Sequence, residues 1–245
     1  MSEGVSGNRK VEVCLSPHSY PVYKSDDTIV VIIDIFRATS AICTALEYGA
    51  NKIIPVATIE EALEYKAKGF LVGAERNGSP LDGFDFGNSP YSYMNENIKG
   101  KTIVLTTTNG TQTIEAAKNA YKVVIGSFLN LSALCNWLMN QNKNILLLCS
   151  GWHKRFSLED TLFAGAVVNA LSQNSEFNSL GDSALATKFL YQSAKTNPYR
   201  FLRNSSHKER LIKLNLKEDI KYCLALDKTS VIPVLEGNAL VKMKK

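Results

Sequence analysis

The hydrophobic pattern is most distinct at residues 29–33, where five β-branched residues follow one another between polar neighbours. An uninterrupted apolar run of this length is typical of a strand buried on both faces, as in a parallel sheet. The predicted strand covers residues 29–35, and a helical pattern begins at Ala41. This part of the chain therefore predicts a βα unit.

The same alternation recurs along the chain and predicts further strands and helices. The predicted strands are 11–15, which we expect at a sheet edge, 52–56, 70–72, 102–105, 123–125 and 145–148. The predicted helices are 41–46, 59–68, 113–120, 131–141, 161–171, 184–194, 205–214 and 217–223.

The C-terminal residues favour a hairpin. Apolar runs at 231–235 and 240–243 flank Gly237 and Asn238, a pair of residues typical of tight hairpin turns. Together the elements predict a three-layer α/β/α fold with a largely parallel or mixed sheet, followed by C-terminal helices and a hairpin. No Pro- or Gly-rich linker interrupts the chain, so we expect a single domain over residues 1–245.

Composition and charge narrow the class of protein. The 245 residues are 45% apolar, which supports a substantial core. The net charge of +5 is spread along the chain, apart from a short tail at Lys242, Lys244 and Lys245. This distribution is too diffuse to indicate nucleic-acid binding, although it would attract a small polyanion.

Cysteine usage and the N-terminus favour a cytoplasmic protein. The 5 cysteines have no CxxC spacing, so we expect reduced core thiols. Residues 1–10 lack the apolar stretch of a signal peptide, and no run of about 18 apolar residues could span a membrane.

Polar side chains follow the 29–35 strand where a parallel sheet would present its ligand-binding edge. Asp34 is followed by Arg37, Thr39 and Ser40, a set that suits a ligand with negative oxygens, bound directly or through a metal. The alternative is structural, with Asp34 capping the next helix and Arg37 paired to it.

The segment 73–90 has no periodicity, and a loop of this length in a compact domain is usually functional or disordered. Its Gly, Phe and Pro content favours an ordered loop. Glu75 and Arg76 follow their strand as Asp34 and Arg37 follow theirs, and Asp82 and Asp85 could add carboxylates. Alternatively, Glu75 and Arg76 form a structural ion pair.

Two further strand ends carry candidate groups. Residues 106–111, TTTNGT, precede a helix whose free N–H groups could cradle an anion, or they are ordinary capping residues. Glu159 and Asp160 are expected in the first turn of the 161–171 helix, where the dipole favours acids, or one of them is a metal ligand or base. His207 is either a capping residue or part of the pocket.

The combined chemistry points to phosphate esters. Converging carboxylates suit magnesium, and arginines suit phosphate oxygens. No GxxxxGK[ST] loop occurs, which disfavours P-loop enzymes, and the run from Asp34 to Phe36 lacks the second Asp of the DxD pair used by haloacid-dehalogenase-type phosphatases. No GxGxxG follows a strand, which disfavours a nicotinamide-dependent oxidoreductase.

Several motifs in order along the chain resemble the 2-phosphosulfolactate phosphatase family. They are DIFRATS (34–40), GAERNGSPLDGFDFGNSP (73–90), TTTNGT (106–111), CSG (149–151) with ED (159–160), and SSHKERLIKLNLKEDIKYCLALDKTSVIPV (205–234). The resemblance implies an α/β, magnesium-dependent hydrolase that converts 2-phospho-3-sulfolactate to 3-sulfolactate on the route to coenzyme M. The family's substrate class extends to related 2-hydroxycarboxylate phosphates.

The resemblance also carries over individual positions. The matching motif positions are Asp34, Arg37, Glu75, Arg76, Asp85, Asn109 and Asp160. We expect Asp34, Glu75 and Asp160 to bind magnesium, and these three with Arg37 to be catalytic. Expected substrate contacts are Arg76, Thr107, Thr108, Asn109, Gly110, Ser150 and His207.

The expected partner is a small anionic phosphate ester, with no nucleic acid and no membrane. The alternative function is a non-catalytic binder of a phosphorylated or sulfonated metabolite, although a pure anion binder has little use for several acids beside its ligand. The sequence leaves the oligomeric state open, with a homodimer as one alternative.

Overall fold

The computed structural model describes residues 9–177 and 179–244, over which it has eleven strands and ten α-helices. The strands are β1 (Lys10–Cys14), β2 (Thr28–Ile33), β3 (Lys52–Pro55), β4 (Leu71–Arg76), β5 (Ser79–Pro80), β6 (Thr102–Thr106), β7 (Lys122–Gly126), β8 (Asn144–Cys149), β9 (Ser179–Leu180), β10 (Pro233–Glu236) and β11 (Ala239–Lys242). The helices are α1 (Tyr20–Tyr23), α2 (Ala38–Glu47), α3 (Ile59–Ala67), α4 (Gly110–Ala117), α5 (Leu131–Met139), α6 (Leu158–Leu171), α7 (Asp182–Ala194), α8 (Pro198–Phe201), α9 (Ser206–Lys213) and α10 (Lys217–Cys223).

The strands form one sheet in the order β5-β4-β6-β3-β11-β10-β7-β2-β8-β1-β9. Strands β4, β6 and β3 are mutually parallel, and so are β7, β2, β8, β1 and β9. The predicted hairpin, β10 and β11, joins these two groups by antiparallel pairing, with Val234 opposite Val124 and Leu240 opposite Ile53. Because three antiparallel pairings follow one another, the two parallel groups run in opposite directions.

Strand β2 shows why helices cover both faces of the sheet. Its residues alternate between two hydrophobic clusters, because successive side chains of a strand point to opposite faces. Ile29, Val31 and Ile33 pack with residues of α5, α6 and α7. Val30 and Ile32 pack with residues of α2 and α4. The predicted mixed α/β architecture with a helix layer on each side is confirmed.

The prediction of an edge strand at 11–15 is wrong. Strand β1 pairs with β8 on one side and with β9 on the other. Strand β9 has only 2 residues, so it leaves no hydrophobic pattern from which it could be predicted.

Several element boundaries also differ from the prediction, and three of these differences bear directly on the site. Strand β4 continues through Glu75 and Arg76, because after Ala74 it leaves β6 and pairs with β5 instead. Helices α2 and α4 begin at Ala38 and Gly110 rather than at 41 and 113. Their first turns are made of hydroxyl, alanine, glycine and glutamine residues, which show no apolar periodicity.

No helix in the part of the chain that the structure describes is long and apolar enough to cross a membrane. Residues 1–8, which make up most of the N-terminal stretch used for the signal-peptide prediction, lie outside the described residues. Lys245 of the basic tail also lies outside them. The single-domain organisation stays a prediction.

Candidate active site

The loop after β2 places a buried carboxylate at the end of that strand. Asp34 is 7% exposed, and the backbone amide of Ala38 at the start of α2 faces its carboxylate. The Thr39 hydroxyl donates to the Asp34 carbonyl oxygen (2.9 Å), and the Ser40 hydroxyl donates to the Ile35 carbonyl oxygen (3.1 Å). Both hydroxyls therefore hold the turn that presents Asp34.

Gly110, the first residue of α4, lies directly against this carboxylate. A Cβ atom at this position would lie 2.8 Å from Asp34 Oδ2 and 2.6 Å from Ala38 Cβ, closer than such atoms approach. The glycine of the TTTNGT motif thus allows α4 to begin beside Asp34, and it brings the loops after β2 and β6 together.

Glu75 supplies a second buried carboxylate from the end of β4. It is 4% exposed and accepts hydrogen bonds from the Thr108 hydroxyl (3.2 Å), the Thr108 amide (3.4 Å) and the amide of Gly78. Arg76 forms no ion pair with it; its guanidinium donates instead to the Glu75 carbonyl oxygen (2.7 Å) and to Thr106 Oγ1 (3.0 Å). The alternative of a structural Glu75–Arg76 ion pair is therefore wrong.

The surroundings of Asp34 disfavour its negative charge. Burial raises the pKa of Asp34 to about 7; the charge of His207 opposes this rise, and the charge of Glu75 adds to it. Bound positive charge at this position would stabilise both carboxylates.

His207, on α9, is held in a fixed orientation. Its Nδ1 atom lies 2.6 Å from Glu159 Oε1, and its ring packs edge-on against Phe36 and beside Trp152. Burial disfavours the charged form of Glu159 and so acts to raise its pKa. The charge and hydrogen bond of His207 outweigh this effect and hold the pKa of Glu159 below its usual range. With Nδ1 bound to an ionised carboxylate, Nε2 is the ring nitrogen available for chemistry.

Arg37 is buried in an ion pair. Nη1 donates to Asp219 Oδ2 of α10 (2.6 Å), and Nη2 donates to the Gly78 carbonyl oxygen (2.6 Å). The guanidinium is therefore a fixed positive charge, and its partner lies far along the chain rather than at the neighbouring Asp34.

These groups surround a small inner cavity of about 10 Å³, roughly the room that one water molecule needs. Its lining comes from the ends of β2, β4, β6 and β8 and from α9, so the two oppositely directed strand groups both contribute. The lining residues are Asp34, Phe36, Arg37, Glu75, Gly78, Asn88, Asn109, Trp152, His207 and Leu211. Of the residues expected from the sequence, this set unites Asp34, Arg37, Glu75, Asn109 and His207.

Asp160 lies behind the inner cavity rather than in its lining. Its Oδ1 accepts from the Ile35 amide (2.8 Å), and its Oδ2 accepts from the Gly151 amide (3.0 Å). Each carboxylate oxygen thus fixes one of the loops that follow β2 and β8. Asp160 connects the two loops and so supports the positions of Asp34 and Trp152.

The other expected substrate contacts are dispersed. The Thr107 amide donates to Thr111 Oγ1 (3.1 Å), and the Thr111 amide donates to Thr107 Oγ1 (3.2 Å). Thr107 therefore caps the start of α4, as in the structural alternative for the TTTNGT motif. Thr108 contacts Glu75, whereas Arg76 faces a neighbouring outer cavity. Ser150 lines a second outer cavity of about 330 Å³, together with His18 and Lys154.

The acids of the 73–90 segment are not at the inner cavity. Asp85 accepts from the amide of Val72 in β4 (2.8 Å) and from Lys66 Nζ (3.1 Å), while Asp82 is exposed. The expectation that they add carboxylates to the site is wrong, because Asp85 binds the side of β4 instead of its end.

Several residues of the site were not predicted from the sequence. Asn88 and Trp152 line the inner cavity, Asp219 anchors Arg37, and the Arg210 guanidinium stacks 3.6 Å from the Trp152 ring centre. The spacing of His207, Arg210 and Leu211 places them on one face of α9, and that pattern could have revealed Arg210.

Buried polar atoms without a hydrogen-bond partner cluster around the inner cavity. Over residues 9–177 and 179–244 they are Asn88 Oδ1, Ser150 Oγ, Glu159 Oε2, Arg210 Nε and Nη2, and Tyr20 Oη. Such atoms are costly in a folded protein, and all of these except Tyr20 belong to residues in or beside the site. Their concentration is typical of a site that takes polar ligands.

The residues present fit a magnesium ion held by few protein ligands. Asp34, Glu75 and Asn88 Oδ1 offer hard oxygen atoms at the inner cavity, and magnesium is usually bound by one or two carboxylates together with substrate phosphate and water. Among the described residues, no three acidic, histidine or cysteine side chains are grouped as a metal site. Of the expected trio, Asp34 and Glu75 line the inner cavity, whereas both carboxylate oxygens of Asp160 accept backbone amides.

Comparison with known proteins gives consistent matches over nearly the whole chain. The family model described as 2-phosphosulpholactate phosphatase matches residues 14–238. A protein of Thermotoga petrophila named probable 2-phosphosulfolactate phosphatase is 45% identical over 231 residues, 94% of this chain and 97% of that protein. A protein of the same name from Caldanaerobacter subterraneus is 41% identical over 217 residues, 87% of this chain and 89% of its own length.

Proposed function

The chain belongs to the 2-phosphosulpholactate phosphatase family, and from that premise we propose that it is a magnesium-dependent phosphatase of 2-phospho-3-sulfolactate or a related 2-hydroxycarboxylate phosphate. Water would cleave the ester to give 3-sulfolactate, an intermediate on the route to coenzyme M, and inorganic phosphate. The observation that carries the proposal is the inner cavity, where two buried carboxylates, an arginine and a histidine–glutamate pair meet.

Asp34 and Glu75 are the residues that would hold magnesium. Each comes from the end of a different strand, and because burial raises the pKa of Asp34, a bound cation would offset the cost of its negative charge. When bound, the ion would polarise the phosphoryl group towards attack by water.

Arg37 supplies positive charge beside the phosphoryl oxygens. Because Asp219 and the Gly78 carbonyl fix its guanidinium, it needs no reorganisation as negative charge develops during the reaction. Asp219 thus acts as a positioning residue for Arg37.

His207 would transfer a proton to the ester oxygen as the bond to phosphorus breaks. An alkoxide is a poor leaving group, so protonation at this point lowers the barrier. Glu159 holds Nδ1 and stabilises the protonated ring, which leaves Nε2 as the atom that exchanges the proton.

The test is release of inorganic phosphate from 2-phosphosulfolactate and 2-phospholactate by purified protein, with magnesium and with chelator. We expect release from at least one ester with magnesium and loss of that release with chelator. Stoichiometric binding of either ester without turnover would instead support the non-catalytic binder.

Three further expectations accompany this function as proposals. They are a cytoplasmic location, a small phosphate ester as the partner rather than nucleic acid, and a homodimer as one alternative for the oligomeric state.

A further inference from the structure

An outer basic cavity lies next to the inner cavity. Its volume is about 310 Å³, and it is lined by Arg76, Thr108, Asn109, Gln112, His153 and Lys154. Asn109 lines both cavities, so the two adjoin at this residue. None of the functions assigned above uses His153 or Lys154.

The inner cavity is too small for a whole substrate molecule. Its volume of about 10 Å³ has room for little more than one oxygen atom of the ester, so the rest of the molecule must lie outside. The outer basic cavity begins at Asn109 and offers about thirty times that volume, the ratio of 310 to 10 Å³.

The charge of the outer basic cavity is of one sign. Arg76, His153 and Lys154 contribute basic side chains, and no acidic residue lines it. Arg76 is anchored on one side by the Glu75 carbonyl oxygen and Thr106 Oγ1, which fixes the direction of its guanidinium. A cavity of this kind selects anionic groups.

The backbone holds His153 and Lys154 in place. Both residues have positive φ angles, 48° and 62°, which non-glycine residues rarely adopt. The amide of His153 donates to Asn109 Oδ1 (3.0 Å), and the backbones of Trp152 and Arg155 exchange two hydrogen bonds (3.0 and 2.9 Å). The loop that carries the basic residues is thus tied to the residue shared by both cavities.

We propose that the outer basic cavity binds the sulfonate, which the substrate carries in addition to its phosphate and carboxylate, with Lys154 as its main determinant. The inference rests on the proposed phosphatase function. It gives the two cavities different roles. The inner cavity acts on the phosphoryl group, and the outer basic cavity selects the ester that carries it.

The experiment compares kcat/KM for 2-phosphosulfolactate and for 2-phospholactate, which carries a methyl group in place of the sulfonated carbon. We expect Lys154→Gln to lower kcat/KM for the sulfonated ester by about 10- to 100-fold, the range for a lost charged hydrogen bond, and to change 2-phospholactate less than about 3-fold. The matched control is Arg155→Gln, which removes the same charge one residue away from a side chain that lines neither cavity. We expect it to leave the ratio of the two values unchanged.

Two results would overturn the proposal while the phosphatase function stands. One is an equal loss for both esters in Lys154→Gln. The other is a loss of sulfonate preference in His18→Gln but not in His153→Gln, since His18 lines only the second outer cavity.

Failure of the proposed function itself gives a different result. If the wild type hydrolyses neither ester, calorimetric titration with 3-sulfolactate tests the cavity without turnover. Equal binding to the wild type, Arg155→Gln and His18→Gln, with at least about 10-fold weaker binding to Lys154→Gln, supports the sulfonate subsite in the outer basic cavity; equal binding to all four contradicts it.

Discussion

The inner cavity and the outer basic cavity adjoin at Asn109 but differ in how their side chains are held. In the inner cavity Arg37, Glu75 and His207 are buried and each is fixed by named partners. In the outer basic cavity His153 and Lys154 are exposed, and their hydrogen bonds are made by backbone atoms. Reactive groups need preorganisation, whereas an anion needs only nearby positive charge. We therefore expect changes in the inner cavity to affect every ester and changes in the outer one to affect the choice of ester.

The first prediction concerns Asp34, where we expect the largest effect. Asp34→Asn should lower phosphate release by at least about 10³-fold for both esters, because the substitution removes a carboxylate expected to hold the metal. It should also stabilise the protein, since the amide carries no charge to bury. Turnover within a few-fold of the wild type would remove Asp34 from the mechanism.

The stability effect has a defined dependence on pH. Because the folded-state pKa of Asp34 is raised from 3.8 to about 7, the wild type loses stability as pH rises through this window. The free energy of unfolding of Asp34→Asn should therefore exceed that of the wild type by an amount that grows between about pH 4 and 7. Above pH 7 this difference should level off at on the order of 4 kcal/mol. Urea unfolding in chelator, at several pH values, measures it.

The second prediction concerns the His207–Glu159 pair. His207→Gln should lower kcat by about 10²-fold for 2-hydroxy acid phosphates with little change in KM, because proton transfer acts in the transition state. Glu159→Gln keeps a hydrogen-bond acceptor for Nδ1 but loses the charge, so its effect should be smaller, about 10-fold.

The leaving group separates a proton-transfer role from a structural one. With 4-nitrophenyl phosphate the departing phenolate needs no proton, so the loss in His207→Gln should shrink to a few-fold. An equal loss on alkyl and aryl esters would show that His207 shapes the cavity and does not transfer the proton.

The sequence predicted the elements of the fold better than their arrangement. The apolar run at 29–33 identified β2 and placed Asp34 at its end, because burial on both faces leaves a pattern in the sequence. Strand pairing leaves no such pattern. The position of β10 and β11 between two parallel groups, and the extension of β4 through Arg76, both depend on neighbours distant in the chain.

The candidate site shows the same limit. Strand ends indicated Asp34 and Glu75, which the structure brings to one cavity; their roles stay predictions. The partner of Arg37 could not be predicted, because Asp219 lies 182 residues away and ion-pair partners are chosen by tertiary packing. Asp160 was expected at the metal because its residue type fits, but its backbone contacts are visible only in the fold.

The third prediction, with the smallest expected effect, concerns Asp85, a motif position that lies away from both cavities. Asp85→Ala should leave kcat/KM for both esters within about 2-fold and lower the free energy of unfolding by about 1–2 kcal/mol, since the buried Val72 amide loses its acceptor. The exposed Asp82 offers the control, because Asp82→Ala should change neither quantity. Urea unfolding and initial rates decide between the roles. A 10-fold loss of turnover at unchanged stability would show that Asp85 contributes to the reaction. The description of an inner reactive cavity and an outer selective cavity would then be incomplete, because Asp85 lies in neither.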